Sequence, residues 1–138
     1  MWIQKDIILK PRRRGFHLIT DEILSYIPEI HQLKTGLVNL LLKHTSASLA
    51  LNENADPDVR SDMEKFFTEL ADSKRYYDHT SEGTDDMPAH IKSVLLGNSL
   101  SIPITNGRLN MGIWQGIYLC EHRVSGGSRN LCITVNGE

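Results

Sequence analysis

Five side chains able to bind a metal or move a proton fall within residues 79–90: His79, Glu82, Asp85, Asp86 and His90. The segment that holds them is rich in turn formers and poor in apolar residues, so it has little means of burying itself. Neutral imidazoles ligate zinc and other divalent ions, and carboxylates ligate them too or orient the imidazoles. Glu82, Asp85 and Asp86 are therefore candidate ligands, partners of ligands, or a general base. The plainer alternative makes the acids helix caps and solvated loop charges, and it fits at least one of the aspartates.

Other reactive groups lie far away in sequence and need the fold to bring them in. His44 opens His44-Thr45-Ser46-Ala47-Ser48, where an apolar strand gives way to small hydroxyl residues. At a period of two, His44, Ser46 and Ser48 share one side of that strand. A lone histidine there is more often a satisfied, half-buried side chain than a ligand. His122 ends the row Gly116, Tyr118, Cys120, His122, whereas Glu121 points to the opposite face and suits a cross-strand pair with a basic residue. Between Arg123 and Arg129 the chain turns through Gly126-Gly127. Such a turn can present backbone N–H groups to an oxyanion, and arginine can clamp a phosphate in bidentate fashion. Gly-Gly between strands is, however, most often an ordinary hairpin. Lys92 is a further candidate phosphate contact. His17 and His31 lack polar company and read as surface residues.

The elements that must position these groups alternate between strand and helix patterns. Strands are expected over Trp2–Leu9 and Phe16–Ile19, followed by a helix that starts near Thr20 and is ended by Pro28. Leu37–Lys43 is nearly continuous apolar sequence, as in a strand covered on both faces, and residues 44–51 continue it as a strand or bulged pair. Asp56 and Pro57 read as the cap and first residue of a helix whose inward face is Val59, Met63, Phe66, Phe67 and Leu70. A second helix begins near Pro88, capped by Asp85 or Asp86, with Ile91, Val94 and Leu95 inward and Gly97 as its stop. Strands then recur at Ser99–Ile104, Gly112–Glu121 and Asn130–Val135, with Asn106-Gly107 as a tight turn. The expectation is an α+β single domain over residues 1–138, with two β-sandwich-like layers and flanking helices.

The totals exclude several classes. The chain has 138 residues and a formal net charge of -2, which gives no general attraction to nucleic acid or to an anionic membrane. Arg12-Arg13-Arg14 is the one basic cluster, and beside Pro11 and Gly15 it reads as a solvated turn. No apolar run reaches the roughly 20 residues of a membrane span, and no secretory leader is recognisable. Cys120 and Cys132 do not have zinc-pair spacing and are expected as reduced thiols in a cytoplasmic protein. Dinucleotide, P-loop, nucleophile-elbow and H-E-x-x-H motifs are absent.

Five stretches together resemble the YjbQ-like family, the secondary thiamine-phosphate synthases: HTSASL (His44–Leu49), NENADPDV (Asn52–Val59), EGTDDMPAHIKS (Glu82–Ser93), GIWQGIYLCEHR (Gly112–Arg123) and TVNGE (Thr134–Glu138). They cover most of the chain in family order. The resemblance implies a two-sheet α+β fold, a homotrimer, and a metal pocket built from His44, His79, His90 and His122. The ligand core expected from it is His79, His90 and His122, with His44 adjacent or itself a ligand. The ion expected is zinc, with magnesium an alternative for a diphosphate substrate. The activity implied joins a hydroxymethylpyrimidine diphosphate to a thiazole phosphate and releases pyrophosphate. Glu82, Asp86, His44 and Arg123 are the expected catalytic groups. Ser46, Ser48, Lys92, Arg123 and Arg129 are the expected contacts to the small phosphorylated substrate. Two other readings stand beside this one: a metal-dependent hydrolase, and a non-catalytic trimeric binder of a metal or small ligand.

Overall fold

Two antiparallel sheets close over a shared apolar core. A computed structural model describes every residue from Met1 to Glu138. In chain order the elements are β1 (Trp2–Leu9), β2 (Gly15–Leu18), α1 (Thr20–Tyr26), a 3-10 turn (Pro28–Gln32), β3 (Thr35–Leu42), β4 (Ala47–Glu53), α2 (Pro57–Ala71), α3 (Asp86–Leu96), β5 (Ser99–Thr105), β6 (Arg108–Leu109), β7 (Gln115–Glu121) and β8 (Arg129–Gly137). The larger sheet runs β1-β8-β3-β5-β6 and the smaller one β2-β7-β4. The expected α+β sandwich is what forms.

Alternation along each strand sets the core. Ile7 and Leu9 of β1, Val38 and Leu40 of β3, and Leu131 and Ile133 of β8 meet Leu49 of β4 with Ile117 and Leu119 of β7. Each such side chain contributes about 1.5–3 kcal/mol by leaving water. β3 differs from expectation, because Leu37 and Leu41 on its outer face are exposed. Its apolar run signals a one-sided strand with apolar residues on both sides, not a strand covered twice.

The smaller sheet has a second covered face, apolar beneath α2 around Phe16 and Phe67 and polar beneath α3. Helices α2 and α3 lie against it, α2 over β2 and α3 over β4. Tyr118 and Cys120 of β7 and Ser48 of β4 are buried beneath them. This inverts the expected inward face of α3. Val94 and Leu95 are exposed, whereas Lys92 and Ser93 are buried. Ser93 finds a hydrogen-bond partner there, whereas Lys92 is held by charge alone, its Nζ and Asp72 Oδ1 making no hydrogen bond. Ser93 Oγ donates to the Ala47 carbonyl at 2.9 Å. Lys92 Nζ forms an ion pair with Asp72 Oδ1, also at 2.9 Å. Phe66 and Leu70 of α2 are likewise exposed instead of inward.

The helix starts follow local chemistry. Asp56 caps α2, its carboxylate accepting from the Asp58 N–H at 2.9 Å, with Pro57 in the first turn. Gly97 ends α3 at φ +92°, a conformation that favours glycine. Asn106 and Gly107 both take positive φ in the β5–β6 turn. The Gly126-Gly127 turn is not a hairpin, because β7 and β8 belong to different sheets and the turn crosses between them. The arginine run is not simply solvated either. Arg14 bonds Glu64 at 2.7 Å and Asp72 at 2.8 Å, Arg12 pairs with Glu22, and only Arg13 is exposed.

Candidate metal centre

The N-terminal end of α3 holds the cluster. Asp86, the first helical residue, is 2% exposed. Its Oδ2 lies 2.6 Å from His79 Nε2 and 3.1 Å from His90 Nε2. His90 follows Asp86 by four residues, so the two share one helix face, and His79 reaches back from the preceding loop. One ligating atom from each of the three residues lies within 4.8 Å of the others.

Neighbouring segments fix these side chains. Arg123 Nη1 donates to Asp86 Oδ1 at 2.7 Å, its Nε to Asp85 Oδ2 at 3.1 Å, and its Nη2 to the Glu82 carbonyl at 2.9 Å. Burial alone would raise the pKa of Asp86. The His79 hydrogen bond and the charges of His90 and Arg123 outweigh that and hold it below the usual carboxylate range. Asp85 occupies the cap position but makes no capping bond, because its carboxylate accepts from Arg123 and from the Val124 N–H at 2.8 Å. His90 Nδ1–H donates to the Thr45 carbonyl at 2.8 Å. That bond places the proton of a neutral His90 on Nδ1 and turns the Nε2 lone pair toward Asp86 and His79. Such a convergence of electron pairs calls for a cation, either an added proton on a ring or a metal ion.

The donor set suits a divalent metal. Two imidazole nitrogens and a carboxylate oxygen are common ligands of zinc and of other divalent ions. Bonds of about 2.0–2.1 Å in a tetrahedral array separate ligand atoms by about 3.3 Å. The two spacings to Asp86, 2.6 and 3.1 Å, lie below that value, and His79 sits on a partly exposed loop. Arg123 is the outer partner that orients the carboxylate.

The expected ligand set is corrected in one member, because His122 does not join His79 and His90. Its ring is 1% exposed beneath α2 and α3, with Nε2 2.8 Å from Ser48 Oγ and Phe16 against its edge. Burial pushes its pKa down to about 3, helped by the positive charges of Lys92, Arg14 and Arg129. The parity of the row Tyr118, Cys120, His122 was correctly legible, but at His122 that row meets packed helices and not the cluster of His79, Asp86 and His90. His44 also stays outside the group. It lies in the β3–β4 turn, and its Nε2 accepts from the Asn130 N–H at 2.7 Å. Burial, then the Arg129 charge, lowers its pKa.

Most of the expected phosphate contacts are committed elsewhere. Arg129 is buried and makes a bidentate pair with Glu121, at 2.8 and 2.5 Å, and its guanidinium also bonds the Ser46 hydroxyl and carbonyl at 3.0 and 3.2 Å. The ion pair anticipated for Glu121 therefore exists, and it withdraws Arg129 from a ligand. Lys92 is held by Asp72, and Ser48 by His122. Glu82 remains exposed, with Oε2 3.9 Å from His79 Nε2. One feature escaped the sequence reading: Asp86 and His90 are each candidate ligands from the sequence, but nothing local marks the Thr45 carbonyl that orients His90.

The chain matches the family model described as UPF0047 protein YjbQ-like over residues 5–138. It is 54% identical to the UPF0047 protein YjbQ of Escherichia coli O157:H7 over 138 residues, the whole of both chains. It is 43% identical to the UPF0047 protein sll1880 of Synechocystis over 136 residues, which is 98% of this chain and 92% of that one. Among solved structures, the hypothetical protein APE1520 from Aeropyrum pernix K1 superposes with a TM-score of 0.86 at 27% identity, covering 99% of each chain. The conserved hypothetical protein TT1486 from Thermus thermophilus gives 0.79 at 32% identity, over 94% of this chain and 97% of that one. Whole-length sequence identity and whole-chain superposition agree, and the chain belongs to the YjbQ-like family, UPF0047.

Proposed function

We propose that this protein is a metal-dependent enzyme acting on small phosphorylated compounds, with thiamine-phosphate synthesis as its candidate reaction. The supporting observation is the convergence of His79, Asp86 and His90, with the His90 lone pair directed inward by Thr45. A divalent ion, zinc or magnesium, would there polarise a phosphoryl oxygen and offset charge on a leaving diphosphate. His79, then His90 and Arg123, keep Asp86 ionised, and Arg123 orients it. Glu82, exposed beside His79, is placed to exchange a proton with a bound molecule. In the synthase reaction the thiazole nitrogen bonds to the pyrimidinylmethyl carbon as the bond from that carbon to the diphosphate oxygen breaks.

A second reading, hydrolysis of a phosphorylated compound, is favoured by one observation. Arg129 and Lys92 are spent on internal ion pairs, which leaves Arg123 as the only one of the anticipated cations at the cluster. Metal analysis of the purified protein, with His79→Ala, Asp86→Asn and His90→Ala variants, tests the shared premise. Loss of metal in each variant is expected, and full retention in all three would overturn it. Incubation with the two thiamine precursors then separates the readings: thiamine phosphate supports the synthase, and a free pyrimidine alcohol supports the hydrolase.

The proposal includes a homotrimer in the cytoplasm. The apolar side chains of Phe66, Leu70, Val94 and Leu95, exposed on α2 and α3, support self-association. A monomer mass by light scattering would oppose it. No helix is long and apolar enough to cross a membrane. A reducing compartment suits the two free cysteines.

A further inference from the structure

The structure assigns a second ligand site, away from the metal cluster, to a phosphate monoester of a short branched alcohol. The site has two adjacent parts. The first is an open groove of about 480 Å³ between the β1–β2 connection and α2, whose lining includes Arg12, Arg13, Arg14, His17, Arg60 and Ser61. The second is a more enclosed apolar slot of about 50 Å³ whose lining includes Ala50, Val59, Met63, Leu96 and Tyr118. Phe16 and Arg60 line both.

Charge in the groove is not evenly available. Arg12 is paired with Glu22, and Arg14 with Glu64 and Asp72. Glu64, the one carboxylate lining the groove, is thereby neutralised. Arg13 makes no ion pair, and Arg60 has only a long 3.4 Å contact from Nη1 to the Tyr118 hydroxyl. That hydroxyl already donates to the Glu53 carbonyl. Two guanidinium groups are thus free to bind an anion, with the Ser61 hydroxyl on the same wall. Arginine matches a phosphate in geometry as well as charge.

The slot decides what the phosphate carries. Arg60 at the junction can hold the anion while the ester group passes Phe16 into the apolar space. An aromatic ring occupies a cavity of about 150 Å³ in an engineered core, so a slot a third of that size takes a short branched alkyl group and not a ring. Ala50, on the floor from β4, leaves the room that a larger side chain would fill.

The test is an amide chemical-shift titration of the intact protein with isobutyl phosphate, inorganic phosphate and isobutanol. Shifts are expected at Phe16, Arg60 and Leu96, with isobutyl phosphate binding about tenfold more tightly than inorganic phosphate, as two or so buried carbons imply. Arg60→Gln should weaken both anions. Ala50→Leu should erase the advantage of the ester and leave inorganic phosphate unchanged. Should Ala50→Leu not fold, the ratio in the unaltered protein and the Arg60→Gln result still decide. Equal affinity for ester and inorganic phosphate, no saturable shift at millimolar concentrations, or shifts confined to His79, Asp86 and His90 would each overturn the assignment. The His90→Ala variant should bind as the parent does, so this outcome is independent of the metal cluster.

Discussion

Replacing Glu121 by Gln tests the reading of Arg129 as a structural, not substrate-binding, cation. Both members of this pair are buried, and Glu121 also accepts from the Arg123 N–H at 3.1 Å. The substitution leaves a guanidinium in the interior facing a neutral amide. Breaking a buried pair from one side costs about 3–5 kcal/mol. Against a typical domain stability of about 5–15 kcal/mol, that is a large fraction. With an m-value near 1–3 kcal/mol/M, the urea midpoint should fall by about 2 M. The companion variant, Glu121→Met with Arg129→Met, removes both charges and should recover most of the loss, because uncharged side chains owe no desolvation. Urea unfolding followed by circular dichroism measures all three proteins. A single-variant cost below about 1 kcal/mol, the range of an exposed pair, would refute the reasoning. So would a double variant no more stable than the single one.

Stability should also depend on pH through His122. Its folded pKa of about 3 lies below the ordinary 6.5, so below pH 6.5 the unfolded chain takes up a proton that the folded chain refuses. Stability from this residue is complete above pH 6.5 and lost as pH falls toward 3, by about 2 kcal/mol at pH 5. His122→Asn should flatten the profile between pH 7 and 5, and an unchanged slope would contradict it. Cys120, pushed up to about 12 by burial, should resist thiol reagents at pH 8 until the protein unfolds, and rapid native labelling would show the site to be open. Arg123→Ala removes the partner that orients Asp86 and should weaken metal binding about 10- to 100-fold in a chelator competition. Equal affinity would make Arg123 a bystander.

What could be read in advance follows a physical division. Local rules located the strands, the Asp56-Pro57 helix start, the Asn106-Gly107 turn and the Gly97 stop, because each depends on a few adjacent residues. The gathering of His79, Asp86 and His90 was legible from their closeness in sequence. The burial of His122 was not, since strand parity gives the face of a residue but not what lies over that face. Lys92 misled for a related reason. A lysine beside a candidate site reads as a phosphate contact unless its partner is visible, and Asp72 sits on the far side of a loop. Val94 and Leu95 read as inward because an apolar pair at helical spacing normally is. Here the sheet beneath α3 presents Ser48 and His122, and polar side chains occupy the contact.

The cluster takes its three candidate ligands from residues 79–90 but borrows its rigidity. The Thr45 carbonyl that sets the His90 ring stands 45 residues before it, and the Arg123 guanidinium that grips Asp86 stands 37 residues after. A peptide cut from that stretch would own all the side chains and none of the anchors. Tight capture of an ion by this segment would therefore report that β4 and β7 have already come together beside it, and the same ion would serve as a probe of completed topology.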